Sequence, residues 1–504
     1  MERAARHSAF VIGAFVLTAL LNYAFGVGLS WFLEPALYGV LGVAQALLLL
    51  SALVVSAGFS WTANHDVAGG VDDGTRMRFR TAWLANIALG ALLALALQAV
   101  YALGILDLGA AYEVVIPLVG VTTLILAARA VLNGAAQGLY RFGAVAVNQV
   151  LEVGVKFTAG VALVAAGWGV AGVMAAFALG ALVALAHSFW VVRGARFWQG
   201  SGWFDAHVLS LTGPLFVGML GPALMLNLDI LGLRLLAPAG QGDELAGFYQ
   251  AAVILPRIPV FTARALLTVL FSYAAGAVAG VVAGNTEAER PMRPADYRRA
   301  ALRLWQRLLL PAGVALALAP EAALTIFFPT TYLVAAGALR VAAVGGLLLS
   351  LVTLVSGVAQ ATGPRRIPAV AAAAGAVTQI GVLVWLVPQW GPLAAATSLV
   401  AAGAVSLVVL FAWKAWPISF TSGDAAHLLT PENVLRTLAP LALLALPLLL
   451  LPGSSRSGAL LQYGLAGLVY VLALFYLRPA PEARPATATR GWFQHVVYLL
   501  IGGS

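Results

Sequence analysis

Long apolar runs separated by short polar stretches extend along almost the whole of this 504-residue chain. A membrane-spanning helix needs about 20 consecutive, mostly apolar residues, and this length defines fourteen candidate spans. Their approximate ranges are 9–32, 37–62, 80–104, 111–136, 142–166, 170–192, 207–236, 246–279, 303–327, 333–360, 367–388, 392–413, 433–451 and 459–477. The pattern predicts an all-α, polytopic membrane protein. The last apolar segment, 492–501, is too short to span, and we expect it to lie at the membrane interface.

The sequence also repeats itself at an offset of roughly 222 residues. The segment GAAQGLYRFGAVAV from Gly134 is echoed by GVAQATGPRRIPAV from Gly357, and Trp168-Gly169 is echoed by Trp390-Gly391. Two like-oriented halves in a membrane protein are typical of a transporter whose binding site lies between them. We therefore predict two parallel, pseudo-symmetric six-helix bundles. The predicted regions are an N-lobe at 1–200, a C-lobe at 201–420, two added helices at 421–480 and a cytoplasmic tail at 481–504.

Positive charge alternates between successive connections. Arginines occur at the N-terminus, in every second connection and in the tail, whereas the intervening connections are short and neutral or acidic, with Arg456 as the exception. The positive-inside rule then places both termini in the cytoplasm. The first apolar run has no cleavage site after it, so we expect a retained first helix. The predicted location is the inner or plasma membrane.

Composition restricts the chemistry further. Hydrophobic residues make up 62% of the chain and charged residues 9%, against roughly 25% charged in a soluble domain. The chain has no cysteine, so thiolate nucleophiles and disulfides are excluded. The six histidines show no metal-binding spacing, and no nucleotide-binding motif occurs. We expect no cofactor and no enzymatic activity, with an ion gradient or the membrane potential as the driving force.

Ionisable residues inside predicted spans are candidate functional groups, because charge is costly to bury in a membrane. Arg257 and Arg264 share one helix face, and Arg257 lies between Pro256 and Pro259, which predicts a local break in the helix. Guanidinium groups suit a phosphate-bearing ligand. The other cavity candidates are Arg129, Lys156 and the two amides Asn22 and Gln45. For the arginines, the alternative is ion pairing or snorkelling to the interface. For the amides, the alternative is interhelical hydrogen bonding.

Two acidic residues are candidates for ion coupling or gating. Glu152 and Lys156 are spaced i, i+4, which favours a structural ion pair on one helix, with gating or coupling as the alternative. Asp229 is the candidate for coupling to protons or sodium, because a carboxylate within a span can exchange a cation. A salt bridge to Arg234 or Arg257 is the alternative interpretation of Asp229.

An arginine stripe precedes and enters the ninth predicted span. Arg299, Arg303 and Arg307 are spaced i, i+4, i+8. This spacing favours anchoring to lipid headgroups of the cytoplasmic leaflet. Capture of a pyrophosphate before it enters the protein is the sharper alternative.

Short motifs, in this order and spacing, resemble the oligosaccharide and polysaccharide flippases. That family belongs to an exporter superfamily which also holds lipid II flippases and multidrug exporters. The motifs are FLEPALYG from Phe32, GFS from Gly58, QGLYRF from Gln137, NLD from Asn227, GFY from Gly247, APE from Ala319 and FFP from Phe327. The resemblance covers residues 1–415. It departs at Pro329, where the family often has glycine, and a count of fourteen spans is closer to the lipid II branch.

The resemblance implies a V-shaped pair of bundles around a cationic cavity that opens alternately to each side. A polyprenyl-diphosphate-linked oligosaccharide would pass headgroup first, for cell-surface polysaccharide biosynthesis, with polysaccharide-assembly enzymes as partners and no nucleic acid. The alternatives are a lipid II-type flippase and a multidrug exporter, although the central arginines disfavour organic cations. A membrane polymerase or ligase is disfavoured because the predicted external connections are only about ten residues long.

Overall fold

The computed structural model of the chain describes residues 2–200, 202–206, 208, 224–264, 302–303, 305–362, 366–412 and 431–476. All regular elements in these ranges are helices, which confirms the predicted all-α fold class. Parts of the predicted spans 207–236 and 246–279 lie outside the described residues. The same is true of Arg299, of the C-terminal tail and of the segment 492–501.

The helices follow the apolar segments of the sequence closely. They are α1 (Glu2–Leu29), α2 (Pro35–Ala57), α3 (Phe59–Ala68), α4 (Asp73–Ala102), α5 (Val115–Gly138), α6 (Phe142–Ala165), α7 (Gly169–Val192), α8 (224–236), α9 (Gly242–Ile254), α10 (Arg257–Arg264), α11 (Leu310–Leu318), α12 (Pro320–Phe327), α13 (Ala336–Thr362), α14 (Arg366–Trp390), α15 (Pro392–Ala412), α16 (Pro431–Leu450) and α17 (Arg456–Tyr476).

The described helices are those of a multi-pass membrane protein. Nine spans in the described ranges are long and apolar enough to cross a membrane, and the number rises to eleven if each of two bent helix pairs forms one span. The count of fourteen spans stays a prediction.

The sequence repeat is also a structural repeat. Helices α5, α6 and α7 correspond, at an offset of 222 residues, to α13, α14 and α15. Gly169 and Gly391 occupy equivalent corners, with φ values of 52° and 51°. Glycine adopts this left-handed conformation without steric penalty, so the two copies turn in the same way at the same place.

The chain forms two compact units. The first contains residues 1–250 and 383–395, and the second contains residues 251–382 and 396–504. Helices α1 to α7, the predicted N-lobe, lie in the first unit together with α8 and the first part of α9. The predicted lobe boundaries at residues 200 and 420 stay predictions.

Helix α5 is central to the first unit, where it packs against α2, α3, α4 and α7. Its glycines explain part of the repeated motif. A Cβ atom at Gly134 would overlap the carbonyl oxygen of Ser60, and one at Gly138 would lie 2.6 Å from the carbonyl oxygen of Asn64. Small residues four apart allow two helix backbones to approach closely, so this spacing seats α3 on α5.

Two helix pairs are broken. Helices α9 and α10 meet at an angle of 50°, which confirms the break predicted beside Pro256. Helices α11 and α12 meet at 94°, so the predicted span over 303–327 is not one continuous helix. Pro320 has no backbone N–H and restricts the residue before it, which ends α11 at this point.

The C-terminal helices cover the second break. The Tyr463 hydroxyl of α17 shares its single proton between the carbonyl oxygens of Ala315 and Ala319, at 3.1 and 3.0 Å. These carbonyls lie at the end of α11, and each also accepts a backbone N–H bond of 3.1 Å, from Ala319 and Ala323 respectively. Small apolar residues of α11 and α12 pack against α16 and α17 around the same point. The two added helices therefore stabilise a helix end within the membrane.

Candidate functional site

Helices α2 and α9 cross with their backbones in contact, inside the first unit. A Cβ atom at Gly39 would overlap the carbonyl oxygen of Asp243, and one at Gly247 would overlap the carbonyl oxygen of Pro35. Both glycines are therefore required for this approach. We call this contact the α2–α9 crossing.

A charged network surrounds the crossing. The Asp243 carboxylate accepts a hydrogen bond from the Tyr112 hydroxyl at 2.9 Å and another from the Arg234 guanidinium. Arg234 also donates to the carbonyl oxygen of Leu108 at 2.6 Å, and its guanidinium lies 5.7 Å from the centre of the Tyr112 ring. We call Tyr112, Arg234 and Asp243 the Asp243 network.

The crossing and the network join three connections of the chain. These are the connections before α2, between α4 and α5, and between α8 and α9, all of which the charge pattern predicted on one side of the membrane. The proximity of the three connections is consistent with a location on the same side of the membrane. That this side is the external one stays a prediction. No local pattern in the sequence indicates the role of Asp243, because its partner Tyr112 is 131 residues away.

Two amides lie near the crossing in the same unit. The Gln250 side chain faces that of Gln45 at 3.5 Å, and a Cβ atom at Gly42 would lie 3.1 Å from the Gln250 side chain. Gln45 is thus at a helix–helix contact, as its hydrogen-bonding alternative predicted. Its role in a cavity stays a prediction.

Asp229, the candidate for ion coupling, is completely buried. Its carboxylate accepts a hydrogen bond of 2.7 Å from the Tyr249 hydroxyl. Arg234, one alternative partner of Asp229, forms its ion pair with Asp243. A carboxylate buried next to a phenol is suited to exchanging a proton or cation, and the coupling role stays a prediction.

A second charged group lies among α1, α5, α6 and α7. Glu152 forms an ion pair with Arg129, so the predicted pairing of Glu152 with Lys156 was wrong. Lys156 instead donates to the Asn22 side-chain oxygen. We call Arg129, Glu152, Lys156 and Asn22 the N-lobe charge cluster.

Aromatic rings complete the surroundings of Lys156. Its ammonium lies 4.6 Å from the ring centre of Phe177 and 5.7 Å from that of Phe25. Only 8% of the residue is exposed. The i, i+4 spacing placed Glu152 and Lys156 on one helix face, but the tertiary partners on α1, α5 and α7 determine the actual contacts.

The remaining predicted arginines lie in the second unit. Arg257 begins α10 directly after the break, and the Arg264 guanidinium lies 5.9 Å from the ring centre of Phe261. Arg307 lies in a π-helical turn, Trp305–Leu309, that precedes α11. Such turns recur at functional sites. The predicted roles of these arginines, and of Arg303 and Arg299, stay predictions.

Arg80 is a buried charge near the start of α4, next to a connection whose arginines the charge pattern predicts on the cytoplasmic side. It is completely buried in α4, where its guanidinium donates to the carbonyl oxygens of Gln199 and Gly202 at 2.6 and 2.5 Å. Its plane lies 5.3 Å from the Trp203 ring centre. Arg80 therefore fixes the segment after α7 to the first unit.

A cleft of about 420 Å³ lies between α3 and α4, on the predicted cytoplasmic side. Its charges are satisfied locally, because Arg78 pairs with Asp66 at 2.9 Å and the Asp72 carboxylate accepts from the Thr75 backbone N–H at 2.6 Å. The hydrogen bond from Thr75 lowers the pKa of Asp72. Within the described part of the chain, no group of three or more His, Cys, Asp or Glu residues could hold a metal ion.

Comparison with known proteins identifies the fold. No protein-family model matches the chain, and no curated protein matches its sequence. The structure is similar to the lipid II flippase MurJ in an inward closed conformation, with a TM-score of 0.70 and 15% identity over 92% of this chain and 99% of that one.

Two transporters of the MOP superfamily share the architecture. An inward-facing MATE family transporter of the MOP superfamily has a TM-score of 0.60 and 16% identity, over 79% of this chain and 93% of its own. A MOP superfamily transporter from Pyrococcus furiosus, described as having a binding pocket of reverse polarity, has a TM-score of 0.57 and 17% identity over 81% and 94%. The chain therefore has the fold that these flippases and exporters share.

Proposed function

We propose that this protein is a flippase that moves a polyprenyl-diphosphate-linked oligosaccharide across the cytoplasmic membrane by alternating access, for the synthesis of cell-surface polysaccharide. The observation that carries the proposal is the Asp243 network at the α2–α9 crossing. There, hydrogen bonds, an ion pair and two glycines join segments from both halves of the sequence repeat within the first unit.

The hydrogen bonds and the ion pair of the Asp243 network are of a kind that a gate could break and form again. Hydrogen bonds and ion pairs between partly exposed groups contribute only about 1 kcal/mol each, because water can replace either partner. The Arg234 and Asp243 side chains are 15% and 26% exposed. An opening movement could therefore exchange the Arg234–Asp243 ion pair for water, and it would also have to part Asp243 from the completely buried Tyr112.

The charges within the helices support an anionic cargo. Arg129, Lys156, Arg257 and Arg264 are cationic groups within or next to apolar helices. Arginine binds phosphate oxygens through paired donors, which suits the diphosphate of a lipid-linked sugar. The same charges would repel an organic cation, the usual cargo class of a multidrug exporter.

A lipid II-type flippase is the second candidate. The similarity to MurJ extends over 92% of this chain, against 79% for the inward-facing MATE transporter. Lipid II also carries a polyprenyl diphosphate, so the cationic groups suit either cargo. The two candidates differ in the group that is attached to the diphosphate.

Reconstitution into liposomes tests the proposal. Three fluorescent cargoes would be compared in matched vesicles: a polyprenyl-diphosphate oligosaccharide, lipid II and a lipophilic organic cation. We expect transport of the oligosaccharide lipid to exceed that of lipid II and the cation to remain untransported. Faster movement of lipid II would select the second candidate, and movement of the cation alone would reject both.

A further inference from the structure

Three arginines meet at one end of the first unit. A short 3₁₀ turn follows α7 and begins with Arg193, and Arg196 comes directly after this turn. Arg141, next to the start of α6, donates to the carbonyl oxygen of Val191 in α7. A Cβ atom at Gly194 would lie 3.9 Å from a terminal nitrogen of the Arg141 guanidinium. The Arg141 side chain therefore lies against the turn that carries the other two arginines, and all three residues are exposed.

These arginines have no carboxylate partner. Among the described residues, no ion pair joins any of the three to an aspartate or glutamate. By contrast, Arg76 and Arg78 of the same unit pair with Asp73 and Asp66. A cation near the C-terminal end of a helix is favourable, which accounts for the bond from Arg141 to α7. It does not account for three like charges in one place, because their mutual repulsion is relieved only by an anion.

Exposed aromatic rings surround the arginines. Tyr140, Phe142 and Trp190 are 72%, 50% and 58% exposed. The Arg193 guanidinium lies 5.1 Å from the centre of the Trp190 ring, and the rings of Tyr140 and Phe142 lie edge to face with 6.3 Å between their centres. Such rings and arginine stems combine an apolar body with a polar or charged end, which suits the membrane–water interface. The arginine–aromatic patch consists of Tyr140, Arg141, Phe142, Trp190, Arg193 and Arg196.

The backbone of the patch is strained at two residues. Among the described residues, Tyr140 and Arg196 are the non-glycine residues with positive φ, at 58° and 53°. Residues with a side chain rarely adopt this left-handed conformation, and such strain clusters at functional positions. The aligned second copy of the repeat has Gly363 where the first has Tyr140, and glycine adopts these angles without strain. Both strained positions therefore carry a large, exposed side chain of the patch where glycine would suit the backbone better.

The position of the patch relative to the membrane follows from α7. The segment Gly169–Ala195 is long and apolar enough to cross a membrane, so the patch lies at the end of a span. The connection between α5 and α6 and the connection after α7 both carry arginine, and the charge pattern predicts both on the cytoplasmic side. The cytoplasmic leaflet contains anionic lipids, which attract basic residues next to spans. An acidic protein would match the charge, but exposed rings at the end of an apolar span favour a lipid.

We infer that the arginine–aromatic patch binds an anionic phospholipid of the cytoplasmic leaflet, such as phosphatidylglycerol. The arginines attract the negatively charged headgroup, and the aromatic rings lie beside the glycerol backbone and the upper acyl chains. Because the residues of the patch are exposed on the outside of the first unit, the bound lipid is a component of the bilayer and not the cargo. The inference does not depend on the proposed function.

Contact quenching on the full-length protein in nanodiscs tests the inference. Because the chain has no cysteine, a single Ala195→Cys substitution places a bimane label beside the patch. Quenching by brominated phosphatidylglycerol is compared with quenching by brominated phosphatidylcholine, at equal lipid content and at low and high salt. We expect phosphatidylglycerol to bind at least about tenfold more tightly at low salt, since each basic residue near an anionic surface contributes about fivefold. This preference should shrink at high salt, which screens exposed charges.

Substitutions identify the residues responsible for the preference. The double variant Arg193→Gln, Arg196→Gln should lower it by at least about fivefold, whereas Arg193→Lys, Arg196→Lys keeps both charges and should retain it. Tyr140→Gly removes a ring and relaxes the backbone, so it should weaken phosphatidylglycerol binding while the protein stays folded. The matched control is Arg76→Gln, because Arg76 is already paired with Asp73 in the same unit. This control should leave the preference unchanged.

Several results would overturn the inference. These are equal quenching by the two lipids without further substitution, a preference that salt does not change, and an unchanged preference in the double glutamine variant. A nitroxide-labelled polyglutamate peptide, added to phosphatidylcholine nanodiscs, tests the acidic protein instead. Saturable quenching by this peptide that is as strong as that by phosphatidylglycerol would assign the patch to a protein partner. Where the double glutamine variant does not fold, as judged by size-exclusion chromatography, the single variants Arg193→Gln and Arg196→Gln take its place, each with a loss of about fivefold expected.

Discussion

The Tyr112 hydroxyl donates a 2.9 Å hydrogen bond to the carboxylate of Asp243, which lies 131 residues later in the chain and also pairs with Arg234. This bond joins the connection between α4 and α5 to the start of α9, next to the place where the backbones of α2 and α9 touch. In the proposed cycle, these groups separate when the protein opens at the predicted external face.

Gly39→Leu should force the α2–α9 crossing apart. The added side chain would overlap the carbonyl oxygen of Asp243, and overpacking of this kind costs about 1–3 kcal/mol. Because the chain has no cysteine, thiol labelling of a single Gln45→Cys probe reports the opening. We expect its labelling rate to rise by about tenfold.

The control for this experiment is Gly28→Leu. A Cβ atom at Gly28 would meet no other atom within 4 Å, so the labelling rate of the Gln45→Cys probe should stay unchanged. Equal labelling in the Gly39→Leu and wild-type backgrounds would show that the crossing does not limit access to Gln45.

Arg80→Met should destabilise the first unit. The substitution removes the donor to the carbonyl oxygens of Phe197, Gln199 and Gly202, of which that of Phe197 is buried, and leaving a buried acceptor unsatisfied costs about 1–3 kcal/mol. We expect the free energy of unfolding in mixed micelles to fall by at least about 2 kcal/mol. Arg76→Met is the comparison, since the Arg76–Asp73 pair is at the surface and contributes at most about 1 kcal/mol. Equal effects of the two substitutions would contradict the role of Arg80.

Much of the fold could be predicted from the pattern of apolar residues, because spans in a membrane must be long and continuously apolar. The repeat predicted the equivalence of Gly169 and Gly391, whose φ values agree to within one degree. Proline was less informative. Pro320 ends a helix at a 94° bend, whereas Pro388 and Pro447 lie inside continuous helices. The surrounding packing determines which outcome occurs.

The candidate site was harder to predict, because its contacts are between distant residues. The i, i+4 spacing favoured a pair between Glu152 and Lys156, yet both side chains have partners on other helices. Asp243 belongs to a short acidic connection, and nothing local indicates its bond to Tyr112. The sequence thus located the charged residues, and tertiary packing determined which of them meet.

Tyr463→Phe should weaken the packing of α17 on the bend between α11 and α12. The Tyr463 hydroxyl shares one hydrogen bond between the carbonyl oxygens of Ala315 and Ala319, and both carbonyls keep a backbone N–H donor when it is removed. We expect a loss of about 0.5–1.5 kcal/mol in the free energy of unfolding, the net contribution of one hydrogen bond. Tyr140→Phe, at a residue that is 72% exposed, should change the same quantity by less than about 0.5 kcal/mol. A similar loss in both variants would argue against the capping role.

Asp229→Asn tests the coupling hypothesis. If Asp229 carries the coupling cation, the variant should bind cargo normally but lose acceleration of transport by an imposed proton or sodium gradient. Tyr249→Phe keeps the carboxylate and removes its 2.7 Å hydrogen bond, so gradient dependence should survive in that variant. An Asp229→Asn protein that still responds fully to both gradients would exclude Asp229 as the coupling residue.

Alternating access through the Asp243 network is the central claim, and reversible cross-linking tests it most directly. A Tyr112→Cys, Asp243→Cys double variant in this cysteine-free chain would be joined by a short bifunctional reagent that a reductant cleaves. Transport of the polyprenyl-diphosphate oligosaccharide in liposomes should fall below about a tenth of the untreated rate, a block larger than 1.4 kcal/mol. It should return after reduction, and each single-cysteine variant should be unaffected by the reagent. Full transport by the cross-linked protein would contradict the account.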